Sequence, residues 1–491
     1  MVNSLHELRA DRKGPRGGPR GIFGLTAGCL ILAGCAVTPG EFGLVSEAQI
    51  ASTAPLPVRA IYEGAVRSTV VGLVHHPVSS TSAGIAALKN RTRELVPVEA
   101  FLGDANETPD ARAPGTAGFE RFLDRHGLAP ATRGTLTFHV DGKAFFSRLN
   151  QSIAEAKSSI DWMVFIFDND DFALSVADRL KARSGEVRTR VMMDRLGTVM
   201  AGYSPPATPL PAGFAVPHSI SHYLRHHSEV HVRKQSNPWL VANHTKVLMF
   251  DRTTAYIGGM NIGREYRSEW HDLMAELQGA IVEELAGDFD QTWRRSGYFG
   301  DIHLIAPRRP RPSTGSAADG IPIRLLETAP WVYDIERAQI AAIRSSRRQI
   351  VVLTPYFTSE AMLVELQRAA ARGVDVRVIL PREIDSEVMR LSNAESAARM
   401  AEGGVKIHQF PGIMHLKAAI YDGWVCLGSA NMDTLSLRIN REKNIAFSDP
   451  ETVARFRRQV VERDLRRSPR LSIKALQAGR ASWIMPLGKQ L

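Results

Sequence analysis

Two clusters of residues in this 491-residue chain carry the side chains that phosphorus chemistry needs. The first runs His244-Thr-Lys246, then Asp251, Gly258-Gly259, Asn261 and Asp272; the second runs His415-Leu-Lys417, then Asp422, Gly428-Ser429, Asn431 and Glu442. Counted from each histidine, Lys falls at +2 and Asp at +7 in both, while Gly, Asn and the downstream acid fall at +14, +17 and +28 in the first and at +13, +16 and +27 in the second. One deleted turn residue accounts for all three offsets, so the clusters are a duplication. An imidazole, with a pKa near 6.5, serves equally as nucleophile and as acid or base near neutral pH. Lysine and asparagine offer charge and hydrogen bonds to an anion. Histidine and lysine two apart on a strand share a face, so each pair can address one phosphate. Asp251 and Asp422 stand where that strand ends and are expected to fix the turn through the backbone rather than move protons. Gly258, Gly259 and Gly428 are expected to let the backbone approach a ligand, with Ser429 beside it, and Asn261 and Asn431 to offer amide donors to an anion. Asp272 and Glu442 are each expected to accept the second ring N–H of the histidine in their own cluster, which would fix its tautomer.

The elements that must hold these residues repeat as well. Periodicity predicts a helix over 141–156, a strand over 160–167, a helix over 172–182 and a strand over 187–193. The same order recurs at 335–345, 350–355, 359–371 and 374–380. A segment with three prolines and Ser-Thr-Gly-Ser, 307–320, reads as a linker between the two series. The fold class is therefore α/β: two tandem sheet domains flanked by helices, 135–306 and 321–465. A basic tail follows at 466–491. Residues 35–134 have no assigned role, and the Pro/Gly-rich piece 109–118 within them reads as a further linker.

Composition narrows the classes. With 44% hydrophobic and 23% charged residues the chain is a folded protein, and beyond its N-terminus no apolar run approaches the ~20 residues of a bilayer span, which excludes a multi-span membrane protein. Cys29, Cys35 and Cys426 are too few for a disulfide framework. The formal charge of +10 favours an anionic partner, nucleic acid or an acidic lipid surface. Five basic and two acidic residues precede an apolar stretch over 22–33 that ends in Leu32-Ala33-Gly34-Cys35. This order resembles a bacterial lipoprotein signal, with residues 1–34 removed and Cys35 becoming the lipid anchor. Ala36 after that cysteine implies an outer-membrane address facing the periplasm, and the chain without residues 1–34 keeps a charge of +7.

The doubled H-x-K-x4-D pattern followed by G-[GS]-x-N resembles the phospholipase D superfamily, over about residues 135–465. Gly258-Gly-Met-Asn-Ile-Gly263, Trp270-His-Asp272, Ser429-Ala-Asn-Met-Asp-Thr434 and Asn440-Arg-Glu442 are most similar to bacterial cardiolipin synthases and related phosphatidyltransferases. One departure is Gly259, where the simplest motif has serine. The resemblance implies two halves packed as a pseudo-dimer around one active site, with no metal and no cofactor. It implies a phosphohistidine intermediate, with His244 as nucleophile and His415 as general acid and base. The implied partner is a phospholipid such as phosphatidylglycerol at a membrane surface, reached through the anchor and the basic tail, with cardiolipin or phosphatidic acid as product. Nucleic acid is not the expected partner, although nucleases of the superfamily use the same residues and form the competing reading. A non-catalytic envelope protein that binds phospholipid is the third reading, and two undamaged clusters speak against it.

Three further signals carry less. His218, His222, His226, His227 and His231 have few acidic or cysteine partners for a zinc site and read, with Pro205, Pro206, Pro209 and Pro211, as a loop over the cleft. Ten basic residues between 455 and 489 read equally as a solvated helix face or as a headgroup contact. Cys426 reads as a packing residue.

Overall fold

The computed structural model describes residues 68–93, 113–201, 208–297, 300–301, 320–480 and 482. The signal-like segment with Cys35, the prolines at 205 and 206, most of the linker and the end of the tail lie outside them. No helix among the described residues is long and apolar enough to cross a membrane.

The first half contributes β1 (Thr132–Val140), β2 (Ser159–Val164), β3 (Arg188–Asp194), β4 (His231–Gln235), β5 (Val247–Phe250), β6 (Thr254–Gly258) and β7 (Leu273–Gln278). The second contributes β8 (Ile321–Ala329), the short β9 (Val332–Tyr333), β10 (Gln349–Leu353), β11 (Asp375–Glu383), β12 (Lys406–Ile413), β13 (Ala418–Tyr421), β14 (Trp424–Gly428) and β15 (Glu442–Phe447). The first half is ordered β1-β7-β6-β5-β2-β3-β4 and the second β8-β15-β14-β13-β10-β11-β12, so the duplication read from residue spacing is also a duplication of topology. Antiparallel pairing of Thr132–Gly134 in β1 with β8 joins the two sheets edge to edge.

Side-chain alternation explains how the halves also meet face to face. In β5, Val247 and Met249 point into one core while Leu248 and Phe250 point into another; in β13, Ala418 and Ile420 separate from Ala419 and Tyr421 in the same way. Val247, Met249, Ala418 and Ile420 share one cluster with side chains of both halves, the layer between the sheets. The opposite faces are covered by helices, among them Gly142–Glu155 and Asp171–Arg183 in the first half and Asp334–Ser345 and Glu360–Ala371 in the second. Asp170 caps one helix by accepting from the Ala173 amide and Ser359 caps its counterpart in the second half by accepting from the Met362 amide.

Several segments pack differently from the sequence expectation. The end of the piece read as a linker at 109–118 starts a helix, Ala117–Arg125, capped by Thr116. Its Phe119 and Leu123 belong to the core of the second half, and its Glu120 and Asp124 hold the buried Arg324 guanidinium at 2.8 Å each. An apolar 3–4 spacing inside a Pro/Gly-rich stretch was too short to show as periodicity. The tail is likewise not free: helix Ile473–Ala478 buries Leu476 in the second core, and Arg480 pairs with Glu395 and Glu402. Arg455 donates to the Leu136 carbonyl, Arg457 to that of Asp422 and Arg463 to the Asp141 carboxylate, so three of the basic residues read equally as a solvated face or a headgroup contact instead fasten the C-terminal helices to the sheets.

Candidate active site

Both histidine clusters lie where segments of the two halves are laced together. His244 and Lys246 sit just before β5, and His415 and Lys417 just before β13, rather than within a strand. Each lead-in pairs with the other half: the His244 amide donates to the Arg441 carbonyl at 2.9 Å, and the His415 amide to the His271 carbonyl at 2.7 Å. Arg441 and His271 immediately precede the two downstream acids, Glu442 and Asp272. The lacing therefore crosses the acids over. His244 Nδ1 meets Glu442 at 2.9 Å, and His415 Nδ1 meets Asp272 at 2.7 Å. This corrects the expectation that each acid serves the histidine of its own cluster; sequence order gave neighbours along the chain, and backbone bonds across the seam select neighbours in space.

The remaining motif residues support this pair of pairs. Lys246 and Lys417 are buried and donate to the carbonyls of His244 and His415, at 2.7 and 2.5 Å. Ser429 Oγ donates to Glu442 at 2.5 Å and accepts from the Lys443 amide, so its hydroxyl aims the acid rather than a substrate. At Gly259 a Cβ would stand 2.3 Å from Asp272 Oδ1, so a serine would displace the buried Asp272 carboxylate; the departure from the simple motif makes room for the shorter acid. Gly258 and Gly428 admit the neighbouring strand rather than a ligand, since a Cβ at either would lie within 2.3 Å of the Leu273 or Lys443 carbonyl. Asn261 is likewise engaged, accepting from the Ile166 amide and donating to the Tyr266 hydroxyl at 2.8 Å. Asn431 reaches the Asp433 carboxyl, and its Oδ1 is buried without a partner. Asp251 and Asp422, both at positive φ, accept from three successive amides each: 157–159 and 347–349. They pin the helix-to-strand turns before β2 and β10, a local job of the kind expected, directed at a different turn.

Burial sets the electrostatics. Desolvation, followed by the lysine charges, drives His244 well below its usual value and His415 down to about 4. Lys417 falls to about 8 and Lys246 well below its ordinary range, for the same first reason. Burial would raise Asp272, but His415 and Lys417 outweigh it and hold that carboxylate below its usual value. At Glu442 burial wins and pushes the carboxyl up to about 8. Two lysines and two imidazoles held together with their positive charge suppressed constitute a site that regains charge when an anion enters.

A stability prediction follows. Folded Glu442 keeps to about pH 8 a proton that the unfolded chain releases near 4.5, so its contribution is present below 4.5 and lost as pH rises through 8. His415 acts oppositely, because the unfolded chain takes up a proton between 6.5 and 4 that the folded site refuses, and stability falls with acid in that window. Glu442→Gln is expected to remove the alkaline loss, so that the Tm of the variant relative to the parent climbs between pH 5 and 8. Parallel Tm curves would refute this.

Residues outside the motifs complete the site. Tyr266 and Trp270 pack their rings 5.5 and 5.2 Å from His415, and Phe165 packs 4.8 Å from His244. His271, next to Asp272, bonds to both Asp141 and Asp464, and these partners raise it against burial to about 9. A buried imidazolium thus ties the first half to the C-terminal helices; its place between Trp270 and Asp272 was the only sequence signal. Among the described residues the one group of three side chains able to hold a metal ion is Asp168, Asp170 and Glu265, and it includes no histidine. Burial favours protons on it, raising Glu265 to about 8. His226 packs tilted against the His222 ring and edge-on against that of His227, and these three, with His218 and His231, join no such group. Cys426 is buried, and desolvation pushes its thiol up to about 12, which removes it as a nucleophile.

A family model described as cardiolipin synthase, phospholipase D-like domain, matches residues 149–293 and 339–464, more than half of the chain. A probable cardiolipin synthase of Bacillus subtilis, YwiE, is 27% identical over 354 residues, covering 70% of this chain and 68% of its own. Cardiolipin synthase A of Escherichia coli is 29% identical over 359 residues, 70% of this chain and 71% of that one. The fold is similar to that of phosphatidylserine synthase of Haemophilus influenzae, with a TM-score of 0.55 at 11% identity over 75% of this chain and 96% of that chain.

Proposed function

Because the chain belongs to the cardiolipin synthase-type family of phospholipase D-like enzymes, we propose that it transfers phosphatidyl groups between alcohols, with phosphatidylglycerol as donor and acceptor and cardiolipin plus glycerol as products. The observation that carries this reading is the crossed pair of carboxylate-held histidines with two buried lysines. With Nδ1 of each ring held by an acid, Nε2 is the atom left to react. His244 Nε2 attacks phosphorus, the bond to the leaving glycerol oxygen breaks, and that oxygen takes a proton from His415. His415 then removes the proton of an incoming hydroxyl, whose oxygen displaces His244 from phosphorus. Lys246 and Lys417 hold the charge that builds on the phosphoryl oxygens.

The exchanged division of labour has one observation in its favour. Glu442 retains a proton that Asp272 has released, so at neutral pH the His244 pair is the richer in protons and the His415 pair the readier nucleophile. The leaving-group experiment in the Discussion separates the two.

The same reading assigns Cys35 a lipid anchor that keeps the enzyme on the membrane of the cell envelope, the outer membrane facing the periplasm. The test incubates the purified protein with phosphatidylglycerol vesicles in EDTA and identifies products by mass spectrometry, beside a His244→Ala control. Cardiolipin with glycerol, absent in the control, is expected. Phosphatidic acid alone would make water the acceptor. Cleavage of added DNA with no lipid product would replace the reading with a nuclease.

A further inference from the structure

Residues 68–93, which the sequence left without a role, form two consecutive helices, Ser68–His75 and Pro77–Arg93, that contact segments of both halves. The hairpin holds both halves. Ser68 Oγ accepts from the Asn237 amide, the Ser80 carbonyl accepts from Trp239 Nε1, and Asn90 donates to the Arg438 carbonyl at 2.8 Å. Ala83 and Ala87 share a small apolar cluster with Val241 and Ile439, each three residues from a catalytic-cluster member, His244 or Glu442.

The hairpin is inside out. Its buried positions carry small or polar side chains, Ser80, Ala83, Ala86, Ala87 and Asn90, while Val70, Val74, Val78, Ile85 and Leu88 are 55–71% exposed. An ordinary surface helix has the reverse arrangement. Only eight large hydrophobic side chains are exposed among the described residues. Five are these, and two more, Trp239 and Trp331, lie in the segments directly beneath the hairpin. Scattered apolar exposure is ordinary, but concentration of this kind on one face marks a contact surface. Its charge indicates the partner. Between 68 and 93 there is no Asp or Glu, whereas Lys89 and Arg91 are positively charged, and Lys89 stands 5.2 Å over the Trp331 ring. The nearby Asp301 is spent on capping the second helix through the Val78 and Ser79 amides.

We propose that this hairpin face is an interfacial docking surface for an anionic phospholipid bilayer, setting the histidine site at the height of the headgroups. It deepens the phosphatidyltransfer reading and rests on it for the substrate. Apolar side chains of this size enter the headgroup–acyl boundary, flanking tryptophans sit at that level, and the basic residues meet the anionic phosphates.

The test uses the chain from residue 36 onward in every sample, so that neither an acyl anchor nor the apolar stretch 22–33 contributes. Parent and a Val74→Ser, Val78→Ser, Ile85→Ser, Leu88→Ser variant are floated with phosphatidylglycerol vesicles and with phosphatidylcholine vesicles, and assayed on vesicle lipid and on a soluble p-nitrophenyl phosphodiester. Expected are parent binding that prefers phosphatidylglycerol, at least tenfold weaker binding of the variant, a matching loss of turnover on vesicles, and unchanged turnover of the soluble diester. Equal flotation of parent and variant overturns the surface. So does a parent dimer that the variant loses, since a second copy would then be the occupant. In the unsubstituted hairpin, amide exchange over 68–93 is expected to slow when vesicles are added; no change overturns the proposal without reliance on any variant. If both proteins leave the diester uncleaved while vesicle binding differs between them, the catalytic reading fails and the surface stands.

Discussion

His415→Ala is expected to release p-nitrophenol from a p-nitrophenyl phosphodiester in a first-turnover burst within about tenfold of the parent rate, yet to lose roughly 10³–10⁴-fold on phosphatidylglycerol. Nitrophenolate leaves without a proton, so removing the acid costs little in the step that forms the phosphohistidine. A glycerol oxygen must be protonated as it leaves, and there the same variant fails. His244→Ala is expected to abolish both, by at least about 10⁴-fold, because no leaving group repairs the loss of the atom that attacks phosphorus. Rapid-quench measurement of the burst, with both variants side by side, decides the assignment. A burst in His244→Ala and none in His415→Ala would exchange the roles, in line with the proton held by Glu442.

At pH 9, where both carboxyls are ionised, Asp272→Asn and Glu442→Gln are expected to lower turnover by about 10³–10⁴-fold, and to do so crosswise. Asp272 faces His415 Nδ1 while its second oxygen accepts from the Leu273 amide at 2.7 Å, and it is wholly buried. An amide there presents its NH2 to Nδ1, forces the proton to Nε2, and leaves the ring in the wrong tautomer with nothing able to move in and compensate. The leaving-group pattern separates this from a general loss of structure. Asp272→Asn should copy His415→Ala and keep its nitrophenol burst, whereas Glu442→Gln should copy His244→Ala and lose it. If each acid variant instead copied the histidine of its own cluster, the crossed arrangement would be wrong.

The duplication was legible because it is written in chemically distinct residue types kept in register. Histidine, lysine, asparagine and a downstream acid recur in register, and the topology repeats to match, strand for strand. Helix and strand positions around β2, β3, β10 and β11 were also legible, because long apolar periods leave a local signal. Segments whose partners are distant in sequence were not. Helix Ala117–Arg125 packs under the second half some 200 residues away through Arg324, and helix Ile473–Ala478 closes the same core from the tail. Nothing local in either stretch names its partner.

The sequence by itself determined that this protein has two equivalent His-Lys-Asn-acid clusters on two α/β units, because identity and spacing specify functional groups and period specifies elements. Which acid holds which histidine was decided only by the tertiary structure. Asp272 follows His244 by 28 residues yet orients His415, because the backbone of His271 bonds to His415 and that of Arg441 to His244 across the seam. The glycines show the same division. Spacing marked 258, 259 and 428 as special, but only the packed sheets reveal that the closely approaching group is a neighbouring strand or the Asp272 carboxylate. A hydrogen bond depends on distance in space, and a chain folded into two sheets that meet edge to edge and face to face sets that distance independently of the residues between.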